Sequence, residues 1–197
     1  MVVHALQSVR WSSTFARLSL CAHVKPPPFG AKFWQLLATA GQDGSVRLWQ
    51  PMTGSPLALF FEGERWVNSV AFSADGYWLA AGLELGAAAI WELGSGHLVW
   101  RLHGHQDSVR CVAFSPDGRL LATGGRDSTA RLWSVETGRP LAVAGGQRAA
   151  VSVVVFWPRP LEAPERAALH LRAPASWLLA TGSQDGSARL WSVVCDP

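Results

Sequence analysis

Six histidines, fourteen acidic side chains and three cysteines are the groups in this 197-residue chain most able to do chemistry, and their spacing does not assemble a catalyst. His97, His103 and His105 lie close in sequence but without the spacing that holds a metal; the first two read as solvated and His105 as structural. Gly41, Gln42, Asp43 and Gly44 read as a turn rather than a phosphate cradle, and neither GxSxG nor HExxH occurs. Cys21, Cys111 and Cys195 are scattered, odd in number and form no CxxC pair, so reduced thiols are expected rather than disulfides or a zinc site. Arg47, Arg131 and Arg189 each stand two residues before a tryptophan. Residues i and i+2 share a strand face, so these arginines should lie along the indole or a neighbouring element; a phosphate-binding stripe is the rival reading. What is left is chemistry of recognition, with no catalytic residue, metal or cofactor expected.

The tryptophans show which elements must position these groups. Residues 36–49 (LLATAGQDGSVRLW), 78–91 (WLAAGLELGAAAIW), 120–133 (LLATGGRDSTARLW) and 178–191 (LLATGSQDGSARLW) all end in an apolar residue and Trp. Trp49, Trp91 and Trp133 are 42 residues apart, and Trp133 to Trp191 is 58, one period plus an insertion of 16. Upstream, residues 68–73 (NSVAFS) recur at 110–115 (RCVAFS), at 152–156 (SVVVF) and more weakly at 7–12 (QSVRWS). These short runs of Val, Leu and aromatics, punctuated by Asp-Gly and Thr-Gly, predict strands joined by tight turns. Asp75-Gly76 and Asp117-Gly118 would join strand a to strand b, Asp43-Gly44 and Asp185-Gly186 b to c, and Thr53-Gly54, Ser95-Gly96 and Thr137-Gly138 c to d. Four antiparallel strands per repeat of this length make one propeller blade.

Bulk properties fit one domain spanning 1–197. Charged residues make up 16%, against about 25% in ordinary soluble domains, so much of the surface is either buried between elements or available to a partner. The net charge of +3 is too small to imply nucleic acid, and no run of five like charges occurs. The N-terminus lacks the pattern of a signal peptide, and no apolar run approaches the roughly 18 residues that span a bilayer. No membrane association is expected, and the expected location is cytoplasm or nucleus.

On these motifs the chain resembles the WD40-repeat family over nearly its whole length. The best repeat carries Gly104-His105, the tip Ser115-Pro116-Asp117-Gly118, then Asp127 and Trp133. The resemblance implies an all-β fold, a WD40-type β-propeller of about four blades with four antiparallel strands each. It also implies a buried hydrogen-bond chain of His105, Thr123, Asp127 and Trp133. The chemistry is sound: an indole N–H only donates and needs an acceptor, and a buried carboxylate must be paired. Thr39, Asp43 and Trp49 in the first blade match three of the four positions, as do Thr181, Asp185 and Trp191 in the fourth, where Gln147 stands in place of His. The second blade has Ala81 and Leu85 where Thr and Asp belong, so apolar packing, Leu85 included, is expected to hold it. The Trp-Asp dipeptide itself is absent, since Gln50, Glu92, Ser134 and Ser192 follow the four tryptophans.

Blade boundaries read as 1–61, 62–102, 103–144 and 145–197, the last without strand d. The a-to-b connection is expanded in the first and fourth blades, predicting inserted loops at 14–33 and 157–176, both Pro-rich. These are read as irregular loops or docking segments on the end away from His105 and Asp127. Because rings of the family this chain resembles usually close with about seven blades, within a range of four to eight, the expectation is an open or incomplete ring. The chain would then be a fragment or short isoform, or would self-associate or have its ring completed by another chain.

The function implied is that of a non-enzymatic scaffold mediating protein–protein interactions, an adaptor within a multiprotein complex. An RNA- or ribonucleoprotein-binding propeller is the alternative, favoured by a sequence pI near 9.1. A ubiquitin-ligase substrate receptor is disfavoured, since no Trp-Asp-x-Arg occurs. Partner-binding candidates are Gln42, Arg126 and Gln184, each one residue before its Asp, with Asp107 and Arg148 from the adjoining d-to-a loops. Arg126 leads, because its counterparts are Gln and repeat geometry does not require a charge there.

Overall fold

The structure, a computed structural model, describes residues 15–21, 36–61, 66–157 and 177–193. Its elements are strands in four antiparallel meanders. The first joins β1 (Phe15–Cys21), β2 (Leu36–Gly41), β3 (Val46–Trp49) and β4 (Pro56–Phe61). The second joins β5 (Val67–Phe72), β6 (Trp78–Leu83), β7 (Ala87–Glu92) and β8 (Leu98–His103). The third joins β9 (Val109–Phe114), β10 (Leu120–Gly125), β11 (Ala130–Ser134) and β12 (Pro140–Ala144). The fourth has three strands, β13 (Val151–Phe156), β14 (Trp177–Ser183) and β15 (Ala188–Val193).

Tight turns set these meanders. At each a-to-b tip of the second and third sheets, a serine hydroxyl bonds an aspartate two residues on: Ser73 to Asp75 and Ser115 to Asp117. Gly118 then takes φ 73°, a left-handed conformation open to glycine without strain.

The sheets stack in succession, β1 packing on β5, β5 on β9 and β9 on β13. This is a β-propeller arranged, among the described residues, as an open arc. Its cores lie between blades. Ala38, Ala40 and Leu48 of the first sheet meet Val67, Val70 and Leu79 of the second. Ala80, Ala88 and Ile90 meet Val112, Leu121 and Trp133. Ala122, Ala130 and Leu132 meet Val151, Val154 and Leu179. The approach is close. A Cβ on Gly82 would lie 2.8 Å from Val109 Cγ1, and one on Gly124 would lie 2.7 Å from Val151 Cγ1. Glycine at these positions lets the next sheet come near.

Repeat matching placed the innermost strand of the first blade at residues 7–12 and an inserted loop at 14–33. The strand in the structure is β1, inside that supposed loop. Its sequence alternates Leu18 and Leu20 with Arg17 and Ser19, the two-residue period of a strand. Residues 7–12, the Pro-rich runs at 25–30 and 158–174, and Cys195 lie outside the described residues.

One repetition is complete at the level of sequence. Residues 130–135 and 188–193 both read ARLWSV. The first copy pairs outward with β12, whereas β15 is the edge of its sheet among the described residues.

Candidate site: a buried polar chain and the loops it ties

The antiparallel pairing of β10 with β11 sets Leu121 opposite Trp133 and Thr123 opposite Arg131. Trp133 therefore shares a face with Thr123, and its Nε1–H donates to Thr123 Oγ1 at 2.9 Å. Thr123 Oγ1 lies 2.7 Å from His105 Nε2, and His105 Nδ1 lies 3.0 Å from both carboxylate oxygens of Asp127. Asp127 also accepts from the Gln106 amide at 3.0 Å and from the Thr129 amide and hydroxyl at 3.1 and 2.8 Å.

Donor and acceptor counting fixes the protons in this chain. The Asp127 carboxylate can only accept, so the ring proton of neutral His105 is on Nδ1 and points at it. Nε2 is then an acceptor, and Thr123, which accepts from the indole, donates its own hydroxyl proton to it. Burial holds His105 below the ordinary histidine pKa, against the opposing pull of Asp127. For Asp127, burial works against ionisation. Hydrogen bonds from Gln106, His105 and Thr129 outweigh it, and the carboxyl stays below its usual range. The four side chains thus tie the loop before β9 to the turn after β10. Thr123 and Trp133 are sealed from solvent, at 0% and 2% exposure, so no substrate reaches them.

The other blades carry parts of this arrangement. Trp49 Nε1–H donates to Thr39 Oγ1 at 2.9 Å, and Trp191 Nε1–H to Thr181 Oγ1 at 3.0 Å. Asp43, exposed at its turn, binds Ser45 and forms an ion pair with Arg47 at 2.9 Å. Asp185 accepts from the Ser187 and Arg148 amides at 2.8 and 2.7 Å. Hydrogen bonds from Ser187 and Arg148 hold its carboxyl well below the usual range. Gln147, one residue before Arg148, is buried.

In the second blade Ala81 is buried, but Leu85 is 71% exposed at the tip of its turn. This corrects the expectation that Leu85 packs to hold the blade: the leucine on this b-to-c turn faces solvent, whereas Asp127 at the same position of the third blade turns inward to His105. Trp91 is instead enclosed by Leu79, Leu93 and Ala89 and by the edge of Phe60, ring centroids 6.3 Å apart.

The arginines before the tryptophans are used locally. Arg47 pairs with Asp43, and Arg189 Nη2 donates to the Gly146 carbonyl at 2.6 Å. Arg131 lies where a Cβ on Gly104 would come within 2.9 Å of its Nη1.

The partner-binding candidates sit in exposed turns and loops at the end where the polar chain lies. Backbone bonds join those turns and loops: Arg126 N to Ser108 O at 2.8 Å, Gln184 N to Ala150 O at 3.0 Å and Glu84 N to Trp66 O at 3.0 Å. Arg126 and Asp107 face each other at 3.8 Å, both well exposed. Gln42 belongs to the first blade and Gln184 and Arg148 to the fourth, so they lie on separate parts of that end. Two apolar residues there escaped sequence reasoning, Leu85 and the 44% exposed Trp66. Trp66 lies outside the periodic tryptophan set, which was the available signal. The blades interlock at this point, because a Cβ on Gly86 would lie 2.5 Å from the His105 carbonyl oxygen. Leu85 therefore stands next to the loop bearing Asp107.

Among the described residues no group of three His, Cys, Asp or Glu side chains is placed to hold a metal, and no helix is long and apolar enough to cross a membrane.

Comparison with known proteins agrees with this architecture. Nuclear distribution protein nudF of Aspergillus niger is 35% identical over 72 residues, covering 36% of this chain and 16% of that protein. The nudF of Emericella nidulans is 33% identical over 72 residues with the same shares. The matched region is thus a small part of these curated relatives. The solved structure of U3-55K superposes with a TM-score of 0.72 at 21% identity, covering 93% of this chain and 50% of that one. At that identity the likeness is one of fold. The family model described as WD domain, G-beta repeat matches residues 4–50, 54–92, 96–134 and 173–192, and with more than half of its length so matched the chain belongs to the WD40-repeat family.

Proposed function

We propose that this chain is a non-enzymatic scaffold that binds other proteins, as an adaptor in a larger complex, through the end of the propeller where the polar turns converge. The carrying observation is the surface around Arg126. Leu85 and Trp66 are exposed on the second blade beside the Arg126–Asp107 pair of the third. An exposed ion pair contributes about 0–1 kcal/mol to stability, so the fold does not need Arg126. Trp and Arg dominate the energetics of protein interfaces, ringed by polar groups that exclude water. Gln42, Gln184 and Arg148 supply such groups on the flanking blades.

The imidazole–carboxylate pair best suited to proton transfer, His105 with Asp127, is committed to holding this end in shape, which supports a non-catalytic role. The pairing of Arg126 with Asp107 favours protein over RNA, since it neutralises a cation that a phosphate would need.

The test compares partner capture by the wild type and by the combined variant Trp66→Ala, Leu85→Ser, Arg126→Ala. Capture should fall by tenfold or more while the melting temperature holds. Undiminished capture would move the site elsewhere. Nuclease-sensitive capture that collapses steeply with salt would overturn the protein reading in favour of RNA.

A further inference from the structure

Each blade presents two cross-strand rows to the blade that follows it. In the second sheet these are Ala71–Ala80–Ile90 and Ser69–Gly82–Ala88. In the third they are Ala113–Ala122–Leu132 and Cys111–Gly124–Ala130. Both faces are covered by the next sheet. The fourth sheet builds the same rows, Val155–Ala180–Leu190 and Val153–Gly182–Ala188. Here they stand open: Leu190 is 66% exposed, Val155 52% and Val153 50%. Trp157, 48% exposed, extends the patch at its rim.

Three features mark this patch as a blade-docking face. Ala180, Ala188 and Leu190 repeat the Ala122, Ala130 and Leu132 on which the fourth blade itself sits. Its glycine is also kept. A Cβ on Gly182 would meet only Val153 of its own sheet, at 3.6 Å, whereas one on Gly124 would strike Val151 of the following sheet. Gly182 thus leaves room for a close approach that no described residue makes. Finally, three adjoining strands of uncovered apolar side chains are costly in water and favour association.

The chain also carries the matching half. Ala122, Ala130 and Leu132 are covered by the fourth sheet's Leu179, with Trp191 packed beside it and hydrogen-bonded to Thr181. The outward face of the first sheet bears the same trio, Leu37, Thr39 and Trp49, with the same Trp-to-Thr bond at 2.9 Å. Leu37 and Trp49 are partly exposed, while Leu79 and Leu121 are at 0%, Trp91 at 1% and Trp133 at 2%.

We propose that the open face of the fourth blade docks the first blade of a second copy of this chain, head to tail, repeating the internal joint between the third and fourth blades. Two copies related by a twofold axis would form two such joints. A heterologous contact of this kind closes when the rotation fits.

Sedimentation velocity of the 197-residue chain at tens of micromolar should show a dimer. Leu190→Glu places a charge on the open face, and Gly182→Val fills the space for approach. Each should yield a monomer with unchanged strand content by circular dichroism. Amide exchange over residues 36–49 should quicken in Leu190→Glu, because the first blade lies across the joint. A monomeric wild type overturns the proposal, as does a dimer that survives both substitutions. A dimer lost in Leu190→Glu without faster exchange over 36–49, or one trapped by a 190–190 disulfide in Leu190→Cys, puts tail against tail and overturns the head-to-tail pairing.

Discussion

The second and third blades are neighbours with the same meander, and they enclose one tryptophan each in different ways. Trp133 is 2% exposed and donates into a chain of Thr123, His105 and Asp127. Trp91 is 1% exposed among Leu79, Leu93, Ala89 and Phe60. Burial of the indole is equally complete, so the polar chain is not what buries it. What the chain adds is a tie at the end of the blade. Asp127 holds the Gln106 amide and its own turn in one arrangement. At the matching position Leu85 stands in solvent. Satisfied buried networks specify a geometry more than they deepen a core. Here the geometry specified is that of the surface loops.

Three measurements can break or sharpen that contrast. Asp127→Ala should cost the most, about 1–3 kcal/mol, because His105 Nδ1–H and the Gln106 amide lose their acceptor while partly buried. A thermal melt that does not move would show that the tie contributes nothing to stability. Acidification should act next. Burial depresses the His105 pKa, so below about pH 6.5, where an unfolded histidine titrates, the unfolded chain binds the extra proton and stability falls as pH drops. The loss continues until the folded pKa is reached. Asp127, also depressed, adds a second loss below the ordinary carboxylate pKa of about 4. His105→Gln should flatten the first limb, and melts between pH 7.5 and roughly 5 check this. An unchanged slope would place the titration on another histidine. Leu85→Ala should do least, within about 0.5 kcal/mol, as for a surface residue. A larger loss would mean that the turn leans on a neighbour.

Much of this architecture is legible because its signals are local. The ten-residue step from Thr39 to Trp49, from Thr123 to Trp133 and from Thr181 to Trp191 spans one hairpin, and the strand pairing brings each pair within 2.9–3.0 Å. The aspartate turns sit where the Asp-Gly signals stand. What was illegible depends on contacts far along the chain or on none. β1 lacks the repeat motif and is held by its pairing with β2, so matching to other blades pointed to residues 7–12 instead. Leu85 reads as a core residue by type, yet it stands in solvent at a turn position where Asp127 of the next blade is held inward by His105. The exposure of Val153, Val155 and Leu190 has no trace in their own sequence, since covered blades carry Leu132 and Ile90 at the position of Leu190.

The identity of residues 130–135 and 188–193 also bears on how the chain finds its fold. β12 can form the same edge hydrogen bonds with either copy, so during folding it meets two equivalent templates. Side-chain preference cannot choose between them. Chain connectivity can: β12 follows β11 after a short Thr-Gly turn, but reaches back from β15 only by closing a loop of about 40 residues. Loop entropy favours the near partner by about 2 kcal/mol. That margin rests on a turn of a few residues around Gly138, which holds φ 67°. Lengthening this turn would raise the population of misregistered chains without altering a single contact of the native state.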